Sequence, residues 1–118
     1  MMSDVVYKIL GTSEKSYAKY PGASSLQDMI NFGFSFVESE DHMVTSVVTN
    51  NEMMTRILRE SEDAYVEFDG EALGTLLTAK LYVHGNIKGQ RIIFANVDYT
   101  TVLVLDADHE IEIPDKEF

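Results

Sequence analysis

The sequence predicts an α+β fold in which a mixed or antiparallel sheet carries two main helices. The first half of the chain holds two segments with helical apolar periodicity, separated by a strand-like run. The second half holds several strand-like runs, separated by turn residues and without a helical segment between them. A doubly wound parallel sheet would need regular alternation of strands and helices, which the second half lacks.

Length and composition predict one globular domain. The chain has 118 residues, of which 45% are hydrophobic, enough for a single core. We divide it into an N-terminal arm or extension (1–24), a folded core (25–113) and a short tail (114–118). The N-terminus lacks the basic start and apolar stretch of a signal peptide. No apolar run approaches the ~20 residues that cross a bilayer.

The charge of the chain disfavours two classes of partner. Asp and Glu number 20 against 9 Lys and Arg, which gives a formal net charge of -11. Such a charge repels phosphate backbones and anionic lipid surfaces, so we expect neither direct nucleic-acid binding nor membrane docking. The sequence has no cysteine, which excludes disulfides, thiol catalysis and cysteine-based metal sites.

The N-terminal segment has weak signals. Residues 5–10 are mostly apolar and are followed by Gly11, and we interpret them as a short strand or an extended arm. Residues 13–20 mix polar and aromatic side chains and predict one or two helical turns. Pro21-Gly22 then indicates a turn.

The first helix has the clearest pattern. Apolar residues recur at offsets of 0, 3, 4, 7, 8 and 11, on one face of a helix: Leu26, Met29, Ile30, Gly33, Phe34 and Val37. Ser25 and Asp28 have capping-box spacing. Phe32 and Phe36 lie off the stripe, which predicts burial on more than one side. Gly33 permits close packing against a neighbour, and the helix should end within residues 38–42.

A strand and a second helix follow. Residues 43–48 are β-branched and apolar, which predicts a buried strand. Thr49 and Glu52 predict a second capping box. The apolar face of the helix after it consists of Met53, Met54, Ile57 and Leu58. We interpret Met43, Met53 and Met54 as core residues.

The second half predicts strands. Residues 76–83 fit one strand, 85–89 a turn, 90–95 the return strand and 101–105 a further apolar strand. Beyond residue 105, four acids alternate with mostly apolar residues, a period-two pattern that we call the acidic ladder: Asp106, Asp108, Glu110 and Glu112.

Two patterns raise the question of a metal or carboxylate site. The ladder spaces its carboxylates ~7 Å apart, and calcium would need further ligands from elsewhere. An EF-hand is excluded because Ile111 occupies the place of the loop glycine. A solvated edge strand explains the ladder better, and cation binding stays open. His42 follows three acids, Glu38, Glu40 and Asp41, but a polar helix end explains it better. His84 and His109 lie far from it in sequence.

Catalytic motifs are missing from the sequence. It contains no nucleophile elbow, no Ser-x-x-Lys and no glycine-rich phosphate loop. Any pair among the twenty acids is a formal candidate for acid–base work, so the sequence selects none. We therefore expect no enzyme and no cofactor, and we assign no metal ligands, with cation binding by the ladder left open.

In the order of their predicted elements and in their apolar and acidic patterning, residues 26–113 resemble the central, axial domain of the major capsid protein of tailed bacteriophages. This is the shell fold shared with encapsulins. The resemblance is carried by a helix, a strand running into a short helix, and then strands: SLQDMINFGFSFVESED, MVTSVVTN, NEMMTRILRE, LGTLLTAKLYV and GQRIIFANVDYTTVLVLDADHEIEI. It covers that domain only, because the chain has no long spine helix and no extended hairpin loop.

The resemblance implies a structural, non-enzymatic role through subunit contacts, in a virion or in the host cytoplasm. It would place the acidic segment 60–71 near an axis where copies meet, and there like charges would require salt, a cation or a basic partner. The candidate subunit interface is therefore Glu60, Glu62, Asp63, Tyr65 and Phe68. Gly70 and Gly74 predict bends in and after this segment.

Two alternatives stay open. A small acidic adaptor module would bind a protein partner through an exposed strand edge. A carboxylate-based enzyme would need a deep pocket with converging acids. For the interface itself, burial of Tyr65 and Phe68 within the monomer is the competing interpretation.

Overall fold

In the part of the chain that the structure describes, three helices and seven strands make up the fold. The structure is a computed structural model and describes residues 4–11, 16–19, 26–38, 43–68, 70–85, 87, 89–96 and 101–106. The helices are α1 (Asp4–Leu10), α2 (Leu26–Glu38) and α3 (Asn51–Glu60). The strands are β1 (Ser16–Lys19), β2 (Ser46–Thr49), β3 (Ala64–Val66), β4 (Gly74–Leu76), β5 (Ala79–Val83), β6 (Arg91–Asn96) and β7 (Thr101–Asp106).

The strands form one mixed sheet in the order β1-β7-β6-β2-β5-β4-β3. β1 is parallel to β7, and β2 is parallel to β5. The other four neighbouring pairs are antiparallel. The structure therefore confirms the predicted α+β class with a mixed sheet.

Both faces of the sheet are covered. The central strands are buried along their length, and successive side chains enter opposite layers. On β6, Ile92 and Phe94 pack with α2 and α3 on what we call the first face. Ile93 and Ala95 pack with α1 on the second face. The two main helices thus share one face, as the prediction of two helices on a sheet requires, and α1 covers the other.

Helix α2 agrees with its sequence pattern. It buries the six predicted residues and ends at Glu38. A Cβ on Gly33 would lie 2.6 Å from Cδ1 of Phe94 and still closer to two other ring atoms, so the expected close packing is confirmed. Phe32 is 38% exposed and Phe36 is half-buried, so burial on a second side is only partial. Ser25 lies outside the described residues.

The N-terminal predictions are wrong. Residues 5–10 belong to helix α1 rather than to a strand or an extended arm. Val6 and Ile9 are buried against the second face, because their spacing of three places them on one side of a helix. Residues 16–19 form strand β1 instead of helical turns, and β1 pairs with β7.

The capping box predicted for α3 is also wrong. Asn50, not Thr49, is the N-cap, and its side-chain oxygen accepts from the Met53 N–H at 2.9 Å. Thr49 instead donates its hydroxyl proton to the Arg91 carbonyl at 2.8 Å. The predicted apolar face of the helix is confirmed, since Met53, Met54 and Ile57 are buried and Leu58 is half-buried.

Two strand predictions change. Residues 76–83 are not one strand, because the chain turns at Leu77 and Thr78 and β4 pairs back onto β5. The predicted return strand corresponds to β6, which pairs with β2 and β7 rather than with β5. β2 therefore lies between β5 and β6, since it pairs with both.

The remaining elements agree in place and differ in detail. β2 covers the second half of the predicted strand 43–48 and continues to Thr49, but Met43 is 57% exposed and is not a core residue. β7 matches the predicted strand 101–105 and extends to Asp106. Asp106 lies in register between Lys19 and Arg91, on a strand with neighbours on both sides. The edge-strand interpretation is therefore wrong for Asp106, and the rest of the ladder lies outside the described residues.

Candidate protein-binding edge

β3 is the last strand of the sheet among the described residues. The Leu77 N–H donates to the Asp63 carbonyl, and the Glu67 N–H donates to the Leu73 carbonyl, each at 3.1 Å. Because hydrogen-bonding direction alternates along an antiparallel pair, Ala64 and Val66 point their N–H and C=O groups away from β4. We call residues 64–68 the β3 edge.

The β3 edge carries an exposed apolar surface. Tyr65 is 65% exposed, Val66 72% and Phe68 68%. Leu73 and Leu77 on the adjoining hairpin are also exposed. These five are the majority of the eight large hydrophobic residues that are exposed in the described part of the chain. The competing interpretation, burial of Tyr65 and Phe68 within the monomer, is thereby excluded.

The two faces of the β3 edge differ in chemistry. Ala64 packs against the core of the first face, and Val66 lies on that same face by strand alternation. Tyr65 and Glu67 therefore lie on the second face, Tyr65 opposite Thr75 and Glu67 opposite Leu73. One face of the edge is thus apolar, and the other combines an aromatic ring with a carboxylate.

A hydrogen-bond network fixes the start of β3. The Ser61 hydroxyl donates to Gln27 Oε1 at 2.7 Å, and Gln27 Nε2 donates to Asp63 Oδ2 at 3.1 Å. The Asp63 N–H donates to Ser61 Oγ at 3.2 Å. Gln27 lies in the first turn of α2, and Ser61 is the C-cap of α3. Asp63 is therefore a positioning residue that ties β3 to both helices.

Gly74 lets β4 approach β3 closely. A Cβ at this position would overlap the Tyr65 carbonyl oxygen and lie 3.4 Å from Cα of Val66. Gly74 is inside β4, so the bend predicted there is wrong. Gly70 has φ +97 in the connection between the two strands, a conformation that glycine adopts without steric cost, so the bend predicted at Gly70 is confirmed.

The turn between β4 and β5 contains a strained backbone conformation. Leu77 has φ 54, a left-handed conformation that is uncommon for a bulky residue. Its side chain is 46% exposed and so gains little from burial. The hydrogen bond from its N–H to Asp63 joins this turn to the start of β3.

The acidic residues of segment 60–71 differ in their interactions. Glu60 Oε2 lies 3.1 Å from Arg56 Nε and 3.2 Å from Arg59 Nη2. Hydrogen bonds from Arg56 and then Arg59 hold the pKa of Glu60 below its usual 4.5. Glu62 and Glu67 are exposed, and no lysine or arginine occurs anywhere in residues 60–79. Glu62 and Glu67 therefore contribute negative charge beside the edge, whereas the charge of Glu60 is paired.

The described residues show no metal site. They contain no group of three or more His, Asp or Glu side chains that could hold an ion. His84 is buried, and its ring meets Tyr7 edge-on with centroids 6.5 Å apart. His42 and His109 lie outside the described residues. None of the described helices is long and apolar enough to cross a bilayer.

The structure separates the five residues predicted as an interface. Tyr65 and Phe68 are exposed on the β3 edge, and Glu62 is exposed just before it. Glu60 is paired with arginines and Asp63 with Gln27. Val66, Leu73 and Leu77 were not among the predicted interface residues, although Val66, like Tyr65 and Phe68, interrupts the acidic segment.

Comparison with protein-family models, with curated proteins and with solved structures finds no significant match to this chain.

Proposed function

We propose that this protein is a non-enzymatic structural module that acts through protein–protein contacts made by the β3 edge. The observation that carries the proposal is the coincidence, on one strand, of outward-facing backbone groups and exposed Tyr65, Val66 and Phe68. Edge strands with exposed apolar side chains pair readily with other chains, and contiguous apolar surface typically indicates a binding site.

One form of this contact is subunit assembly in a capsid-like shell. The sequence resemblance to the axial domain of tailed-phage capsid proteins supports it, and a virion or host cytoplasm is then the expected location. Copies that met at the β3 edge would bring Glu62 and Glu67 together. Such repulsion is screened by salt, so assembly should strengthen as ionic strength rises.

The second form is an adaptor that receives a strand from a different protein. The observation that favours it is the open side of β3, because strand addition uses free backbone groups for affinity and side-chain contacts for specificity. Both forms use the same surface. They differ in whether the partner is another copy of this chain.

Light scattering on a sizing column, across a range of salt concentrations, tests the assembly form. If copies of the chain meet at the β3 edge, a discrete closed oligomer should form and grow in population with salt. The double variant Tyr65→Ser with Phe68→Ser should shift it to monomer. The matched control is Met43→Ser, because Met43 is also exposed but its carbonyl accepts from Asn96 at the far side of β2 from the β3 edge.

The outcomes are distinct. An oligomer that survives the double variant would place the contact elsewhere and contradict the role of the β3 edge. A monomer at every salt concentration would contradict the shell form. The adaptor form is then decided by strand-addition binding at the same edge.

A further inference from the structure

We infer that the β3 edge accepts an extended segment of a partner protein in which apolar residues alternate with lysine or arginine. The inference rests on the proposed function and adds the chemistry of the partner. It follows from three features of the edge: the direction of its backbone groups, the difference between its two faces, and the exposed carboxylates of Glu62 and Glu67.

The backbone defines the length and conformation of the segment. Ala64 and Val66 present N–H and C=O groups on the open side of β3, and Gly74 holds the other side tightly against β4. The network of Gln27, Ser61 and Asp63 anchors the start of the strand. The edge is therefore already ordered, and an added strand of about five residues would complete its hydrogen bonds.

The side chains define an alternating pattern. An added strand places successive side chains on opposite faces of the sheet. On the first face they would meet Val66, which is apolar and 72% exposed. On the second face they would meet Tyr65 and Glu67, where a cation gains both a carboxylate and the face of an aromatic ring. A segment in which apolar and basic residues alternate therefore places its apolar side chains on the first face and its basic side chains on the second.

Charge argues against a second copy of this chain as the occupant. Residues 60–79 contain six acids and no lysine or arginine: Glu60, Glu62, Asp63, Glu67, Asp69 and Glu71. Glu60 lies in ion pairs with Arg56 and Arg59, whereas Glu62 and Glu67 are exposed beside the strand. Pairing two such segments would oppose like charges across the new strand pair, which is unfavourable. The chain's own C-terminal segment is acidic as well, with Asp108, Glu110 and Glu112.

A peptide titration tests the inference on the full chain. The probe is a fluorescently labelled peptide of about six residues in which valine and lysine alternate, followed by anisotropy. One control peptide carries glutamate in place of lysine. Another keeps the lysines but has proline at the central valine, which preserves charge and removes strand pairing. We expect each control peptide to bind at least about tenfold more weakly, which corresponds to about 1.4 kcal/mol.

Protein variants test the location. Val66→Pro removes an outward N–H without removing a hydrogen bond to β4, and proline is tolerated on edge strands. Glu62→Lys with Glu67→Lys reverses the charge. Each should weaken binding about tenfold, whereas Met43→Ser and Glu38→Lys, at exposed positions on other elements, should stay within about twofold. Circular dichroism melts establish that each variant is folded, and amide signals of Ala64 and Val66 should shift on binding.

The results separate this inference from the proposed function. Equal binding of the proline peptide, or of the charge-reversed protein, would overturn the inference because contact would then not depend on pairing or on charge. Self-association that Val66→Pro abolishes, without any peptide binding, would overturn it and leave the proposed function standing. Absence of both peptide binding and self-association at the β3 edge would overturn both.

Discussion

At the scale of single residues, contact between Gly33 and Phe94 determines how α2 meets the sheet. The Phe94 ring fills the space where a Cβ would stand, and it packs edge-on against Phe34 with centroids 5.8 Å apart. Glycine in a helix costs up to about 1 kcal/mol relative to alanine. Here that cost is offset by a closer approach of helix and strand, so a residue that weakens the isolated helix stabilises the folded protein.

Gly33→Ala should therefore destabilise the protein, although alanine favours helix. Overpacking costs about 1–3 kcal/mol, and the gain in helix propensity offsets up to about 1 kcal/mol. The net loss should be up to about 2 kcal/mol, measured by urea denaturation. Ser35→Ala, at an exposed position of the same helix, is the control and should be neutral or slightly stabilising. Adding Phe94→Leu to Gly33→Ala should recover part of the loss, and no recovery would contradict the steric explanation.

At the scale of elements, Asn50 joins a helix to a turn. Its side-chain oxygen caps α3. Its amide Nδ2 donates to the carbonyls of Ile87 and Gly89, at 3.0 and 2.8 Å. The sequence suggested Thr49 because threonine and glutamate had capping-box spacing, but β2 continues through Thr49 and uses its hydroxyl against Arg91. The strand register therefore decided which residue could cap.

Asn50→Ala should cost about 2–3 kcal/mol, because it removes a cap worth about 1 kcal/mol and two further hydrogen bonds of similar size. Asn50→Ser separates the two roles, since serine keeps a capping oxygen and loses the two amide donations. It should retain part of the stability that Asn50→Ala loses. The control is Thr49→Ser, which preserves the bond to Arg91. Equal losses in Asn50→Ala and Asn50→Ser, by thermal denaturation, would show that the cap contributes nothing.

At the scale of the whole molecule, an apolar core lies on each face of the sheet. The N-terminal helix α1 forms part of the core on the second face. Val6 and Ile9 are each 1% exposed and pack with residues of β2, β6 and β7. Without α1, the apolar residues of the second face would lose part of their cover. Residues predicted as an arm are thus part of the packing of the central sheet.

Ile9→Ala should destabilise the whole fold by about 2–4 kcal/mol, as expected for truncating a buried isoleucine. A dispensable arm would show almost no change. Lys8→Ala, which alters an exposed neighbour on the same helix, should cost no more than about 1 kcal/mol even with the loss of a surface interaction. The free energy of unfolding from urea denaturation distinguishes these results. A small loss for Ile9→Ala would contradict the role of α1 as a cover of the second face.

The candidate site was only partly predictable from the sequence. Tyr65 and Phe68 were identified because two aromatic residues interrupt an acidic segment. Whether they were exposed could not be read from that segment, because burial depends on which strand pairs beside them. The same pattern drew attention to Glu60 and Asp63, whose charges are instead engaged by Arg56 and Gln27.

The sequence alone determined the features that local periodicity encodes. The apolar stripe of α2, the short helix α3, the position of β7 and the α+β class all follow from spacing within one segment. Only the tertiary structure decided which distant segments are neighbours: β2 between β5 and β6, α1 on the second face, and β3 at the end of the sheet. The physical reason is that periodicity reports which side of an element is buried. What covers that side depends on packing and hydrogen bonds between segments far apart in the chain.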